Sequence, residues 1–155
     1  MGRSRYNWWP FMLNIIRDYP ARAKQLQELQ SQSIVADNSG MPKSGSAGRA
    51  VESLAMKQLP RHEQREYEAV HKALIRTKRM KGAKSRLEIV KLTMWKGYSL
   101  DGAAMIVHES RDTTRRYRWQ FVMLVALMYG ELTEEEYETE IKAQAVGRKN
   151  WTPME

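Results

Sequence analysis

Four arginines lie within eight residues, Arg111, Arg115, Arg116 and Arg118, and they open the most apolar segment of the chain, "RDTTRRYRWQFVMLVALMY". A guanidinium is planar, always charged and rich in N–H donors, so a cluster of them recognises rather than reacts: it can bond O6 and N7 of guanine together, or clamp a phosphate. Residues that make or break bonds are harder to find. His62, His71 and His108 are scattered, and "HEQRE" lacks the second histidine, four residues on, of a zinc-protease helix. There is no phosphate loop, nucleophile elbow or dinucleotide fingerprint. No carboxylate stands in an apolar stretch that would perturb its pKa. Neither enzymatic activity nor a metal or other cofactor is expected.

The whole-chain charge agrees with a polyanionic partner. Lys and Arg number 26 against 18 Asp and Glu in 155 residues, a formal net charge of +8, which suits nucleic acid or an acidic membrane surface. No apolar run approaches the roughly 20 residues that span a bilayer, and "MGRSRYNWWPFM" has no secretory h-region. The absence of cysteine excludes disulfides and thiolate metal sites and fits a reducing compartment. The expectation is an intracellular protein without a membrane partner.

The elements that would position the arginines follow from periodicity. Ser99 can cap a helix whose first turn Asp101 favours, and Ala103 with Ala104 permit a close helix crossing. A corner, "HES", follows, and Ser110 or Asp112 can cap the next helix. Two helices joined by three or four residues have the spacing of a helix-turn-helix. At 100° per residue, Thr114, Tyr117, Phe121, Val125 and Met128 form one stripe of the second helix, while Asp112, Arg115, Arg116 and Trp119 point largely away. Residues in the first turns of such a helix reach base edges in a major groove, which assigns Arg111, Thr113, Arg115 and Arg116 to bases and the backbone near Ser99 to a phosphate. Arg118 lies nearer the packed stripe, suited to a salt bridge or, with Trp119, to the DNA backbone. The acid-free stretch Arg76–Arg86, including Lys84 and Arg86, would add further backbone contacts. The competing reading is that these cations are solvated faces keeping an apolar helix soluble.

From Ser85 to Leu127 the chain resembles the region-4 helix-turn-helix of sigma factors, and more closely the C-terminal part of phage transcriptional activators of the RinA/ArpU type. The turn Gly97-Tyr98-Ser99, the small-residue helix with Ala103 and Ala104, and the entry Ser110, Thr113, Arg115 and Arg116 carry the likeness. A weaker likeness extends to the aromatic N-terminal helix, to "VESLAMKQL" and to the helix after it. Two positions depart from the pattern: His108 stands where the turn usually has glycine, and Glu109 where an apolar residue is common. The resemblance implies promoter recognition and activation of late or packaging genes of a phage or prophage, in the cytoplasm of a bacterial host.

The rest of the chain reads as all-α, a helical bundle containing the C-terminal helix-turn-helix and preceded by a helical arm. Residues 1–30 form the arm, with Pro10 near its first turn and a break at Tyr19-Pro20. Trp8, Trp9 and Phe11, at helical spacing with Leu and Ile, are arm-packing or interface residues rather than base-stacking ones. Residues 31–48 read as a flexible Ser/Gly-rich linker. Residues 49–130 form the DNA-binding domain, with the helix-turn-helix at 85–120; they include a helix in "RAVESLAMKQL", one opened by Pro60 with Tyr67, Val70, Leu74 and Ile75 at helical spacing, and one framed by Leu87, Val90 and Met94 and stopped by Gly97. In "FVMLVALMY" Val122, Met123, Ala126 and Leu127 fall outside the packed stripe, so the arm, the Pro60 helix or a second subunit must cover them, which makes a homodimer a candidate. Residues 131–155 form an acidic helix and tail, with a capping box at Thr133 and Glu136. That helix is either simply soluble, or meets a basic patch on RNA polymerase, or shields the chain's own arginines. Two rivals to the activator share these features: a small terminase, which recognises DNA for packaging and assembles into closed rings, and a helical adaptor whose arginines bind an acidic protein.

Overall fold

A computed structural model describes residues 6–37 and 59–149, which hold six α-helices, one π-helical turn and no strand. The all-α expectation holds for these residues. The helices are α1 (Trp9–Asp37), α2 (Arg61–Lys78), α3 (Ala83–Val90), α4 (Leu100–Val107), α5 (Arg111–Tyr129) and α6 (Glu134–Lys149), and α3 runs directly into the π turn, Lys91–Trp95. Most of the "RAVESLAMKQL" helix, the later part of the linker from residue 38 and the last six residues of the tail lie outside the described residues.

The core forms around α5. Phe121 to Ala126 are six consecutive buried residues, because this half of the helix is apolar all round and is covered on every side. The cover comes from within the chain: Met12, Ile15 and Ile16 of α1, Ala69, Val70 and Ala73 of α2, and Val90 and Met94 near the end of the α3 segment. Each large side chain here contributes about 1.5–3 kcal/mol by leaving water. The apolar run therefore needs no second subunit. Of the residues expected to pack the arm, Met123 is fully buried, and Trp8, Trp9 and Leu127 pack partly buried against the core. Phe11 is more exposed and sets its ring edge-on to Tyr129, with 5.4 Å between centroids.

Two expectations about α1 are corrected. The helix does not break at Tyr19-Pro20: Pro20 sits inside it, and helical structure continues to Asp37, through the first seven residues of the stretch read as linker. Proline removes the N–H that would bond the carbonyl four residues earlier, that of Ile16. The indole Nε1 of Trp95 donates to that carbonyl instead, at 2.7 Å. Trp95 also stacks on Tyr19, Tyr19 on Tyr67, and Tyr67 on His71, with centroids 5.8, 5.2 and 5.5 Å apart. Burial, and next the neighbouring Tyr67, push the Tyr19 hydroxyl pKa up to about 12. Further along α1, Arg22 forms an ion pair with the buried Glu66 of α2.

The buried face of α2 also differs from the expected frame. It is Glu66, Ala69, Val70, Ala73 and Thr77 that face inward, while Tyr67 and Leu74 lie at the margin and Ile75 is exposed. Alanines at the crossing let α2 lie close against α5, and the Thr77 hydroxyl satisfies itself on the Ala73 carbonyl at 2.7 Å. The segment after α3 stops where glycine predicts it: Gly97 has φ +75° and the Tyr98 N–H returns to the Leu92 carbonyl at 2.9 Å.

Candidate nucleic-acid interface

Helices α4 and α5 are joined by three residues, 108–110, and the local sequence accounts for each step. Ser99 caps α4 by accepting the Gly102 N–H at 3.0 Å. Ala103 and Ala104 are buried, as a close helix crossing requires. His108 then takes a left-handed conformation, φ 59° and ψ 42°, and the Glu109 N–H bonds back to the Ala104 carbonyl at 3.0 Å. This is the geometry a glycine ordinarily supplies at a helix C-terminus. Ser110 starts α5: its hydroxyl accepts the Thr113 N–H at 3.0 Å and donates to Thr113 Oγ1 at 2.9 Å. Thr114, fully buried, donates to the Ser110 carbonyl at 2.9 Å.

The expected base-reading residues fall into three situations. Arg111 and Arg115 are exposed at the start of α5. Arg111 Nε lies 3.1 Å from Asp101 of α4, and Arg115 Nη2 lies 3.2 Å from Asp112 one turn before it. Such exposed pairs are worth little and exchange readily for a better anion. Thr113 is half-buried and its oxygen belongs to the cap. Arg116 is also half-buried, with its guanidinium 5.3 Å from the centre of the Tyr117 ring.

The residues assigned to the DNA backbone separate in the same way. Ser99 and Lys84 are exposed. Arg86 is turned inward: Nε donates to the Lys81 carbonyl at 2.9 Å, Nη1 donates to Gln120 Oε1 at 2.6 Å, and the guanidinium lies 4.2 Å over Tyr117. Burial lowers its pKa. Arg118 is half-buried, and its pKa is lowered first by burial and then by the neighbouring charge of Arg17. Trp119 packs against the core.

Sequence reasoning missed several participants. Asp101, which the sequence marks only as favouring the first turn of its helix, also pairs with Arg111. Tyr117 and Gln120 join Lys81 of the basic stretch around Arg86, with Gly82 so close to Tyr117 that a Cβ there would stand 3.1 Å from the phenol oxygen. Arg86 reaches Gln120 across 34 residues of sequence, and no local pattern announces that contact. Tyr98, Met105 and Ile106 are each exposed on or beside α4, Met105 being 77% exposed. At the other end of α5, Gly130 (φ +106°) closes the helix, and Arg65 donates to the Tyr129 carbonyl at 2.8 Å. In α6, the Thr133 hydroxyl accepts the Glu136 N–H at 3.1 Å, and Glu134 pairs with Arg76 of α2 at 2.8 Å.

No helix among the described residues is long and apolar enough to cross a membrane, and none of their His, Asp or Glu side chains gather in a group of three that could hold a metal. No family model, curated protein or solved structure matches the chain.

Proposed function

We propose that the chain is a sequence-specific double-stranded DNA-binding protein, a transcription activator of the RinA/ArpU-like kind encoded by a phage or prophage and acting in a bacterial cytoplasm. It does its work by binding, without chemistry of its own. The observation that carries this reading is the pairing of the short α4 with the long α5 across three residues, with Arg111 and Arg115 exposed on the first turns of α5. The short connection supports reading the pair as a helix-turn-helix, in which the start of the second helix enters the major groove and arginine reads guanine. Arg111 and Arg115 are the base-reading side chains, and Ser99 at the start of α4 stands by the phosphate backbone. Thr113 serves the groove through the helix start that Ser110 caps, its N–H donating to the Ser110 hydroxyl. The net charge of +8 supports the same partner. The exposed apolar side chains Tyr98, Met105 and Ile106 are candidates to meet RNA polymerase once the activator is on DNA.

The test is binding of the purified chain to a selected duplex and to random duplex at about 150 mM salt, a concentration at which non-specific contacts are weak. Arg115→Ala is expected to weaken binding to the selected duplex by about 1–3 kcal/mol with little change on random DNA. Equal losses on both would make Arg115 a phosphate contact, and an absence of duplex binding by the unaltered chain would end the reading.

A further inference from the structure

A groove of about 460 Å³ lies beside the start of α5, walled by Lys81 and Gly82, by Arg86, Arg116, Tyr117 and Gln120, and across from them by Ile141 and Gln144 of α6. The charged side chains among these are all cationic. Lys81 is exposed at the rim, and the guanidiniums of Arg86 and Arg116 both lie over the Tyr117 ring, at 4.2 and 5.3 Å. Arg86 is half-buried, yet its hydrogen bonds go to neutral oxygens, the Lys81 carbonyl and the Gln120 amide, rather than to a carboxylate. A cation drawn out of water is ordinarily neutralised by a paired acid. Here the charge is left facing a cleft.

We propose that this groove is a phosphate-binding site for the DNA backbone, with Lys81 and Arg116 touching the phosphate and Arg86 acting as a positioning residue that holds Tyr117 and Gln120. The inference rests on the DNA-binding reading above and departs from the sequence expectation at one residue: Arg116 contacts the backbone, not a base. On α5, Arg116 follows Arg115 by one residue and is rotated about 100° from it. A strand whose bases meet Arg111 and Arg115 thus presents a flanking phosphate on the side of Lys81. Arg116 is a suitable clamp because its guanidinium is steadied by the ring beneath it and loses little freedom on binding. The α6 wall gives the cleft depth, and Gly82 keeps the Lys81 corner close to Tyr117 because any Cβ there would crowd the phenol oxygen.

The test uses the full chain and two fluorescent duplexes, one carrying its selected site and one of random sequence, titrated over a range of salt concentrations. Each lost phosphate contact is expected to reduce the magnitude of the slope of log K against log[salt] by about 0.9. Lys81→Ala and Arg116→Ala should each do so, with the same fold-loss on both duplexes, and Arg116→Lys should restore most of the slope because a phosphate accepts a point charge. Ile141→Glu, which sets a carboxylate in the opposite wall, should weaken both duplexes alike while circular dichroism shows an unchanged helix content. Unchanged slopes in both alanine variants, with duplex binding by the unaltered chain intact, would overturn the groove and leave the DNA reading standing. A loss at Arg116→Ala confined to the selected site, not rescued by lysine, would also overturn it and return Arg116 to the bases. If the unaltered chain binds neither duplex, the function itself fails and the groove with it.

Discussion

The indole Nε1 of Trp95 donates a 2.7 Å hydrogen bond to the backbone carbonyl of Ile16, the carbonyl to which Pro20 offers no N–H. A proline is thereby carried inside a long helix, and the segment leading to α4 is fastened to α1. Trp95→Phe keeps an aromatic ring against Tyr19 but leaves that carbonyl without its donor. It should cost about 1–3 kcal/mol in urea unfolding. In a Pro20→Ala background the helix supplies its own N–H, so the same substitution should cost less. An equal cost in both backgrounds would mean that ring packing alone, not the hydrogen bond, gives Trp95 its value.

His108 holds a left-handed conformation at φ 59° between α4 and α5. Outside glycine that conformation costs roughly 1–2 kcal/mol, and His108→Gly should therefore raise stability by about 1 kcal/mol, read as a higher thermal midpoint, even after the extra chain entropy glycine brings to the unfolded state. A fall in the midpoint would show that the imidazole makes a stabilising contact that outweighs the strain.

Glu134 carries a pH dependence of definite sign. The hydrogen bond from Arg76 holds its carboxyl below the ordinary glutamate value of 4.5. A carboxylate whose pKa is depressed on folding contributes stability that is complete above its unfolded value and is lost as pH falls through the folded one. Glu134→Gln should therefore lie below the parent in thermal midpoint at pH 6 and converge with it below pH 4.5. A difference that stays constant at every pH would show that the charge of Glu134 is not its source, and coincident curves that the pair contributes nothing.

Because α1, α2 and the α3 segment cover the apolar half of α5, that surface gives no drive to form a multi-copy ring. Light scattering of the purified chain should give the mass of one or two copies. A closed ring of many copies would favour a DNA-packaging subunit over an activator. Met123→Ala, at a fully buried position of α5, should cost about 2–5 kcal/mol without changing the number of copies.

What was legible in the sequence was local. Ser99, Ser110 and Thr133 each mark a helix start three residues before the N–H they satisfy, Gly97 marks a helix end by its positive φ, and each stands where capping chemistry predicts. The same rules misjudged Pro20, because the donor that rescues its helix lies on Trp95, 79 residues from Ile16. The inward face of α2 was drawn on large side chains, whereas Ala69 and Ala73 turn inward because the partner helix approaches closely. At the candidate interface, the arginines could be named, but not which stay exposed and which turn inward, nor their partners. That division depends on Asp101, on Gln120 and on Tyr117, which Arg86 reaches only after folding.

The central claim is that α5 reads a DNA sequence. The most direct measurement is selection of random duplex DNA by the purified chain at about 150 mM salt, where charge alone retains little, followed by sequencing of the bound pool. The account predicts one defined motif, single or repeated with two-fold symmetry, that is lost when Arg111 and Arg115 are both changed to alanine. A pool that stays random, or the same motif from the double variant, would contradict it.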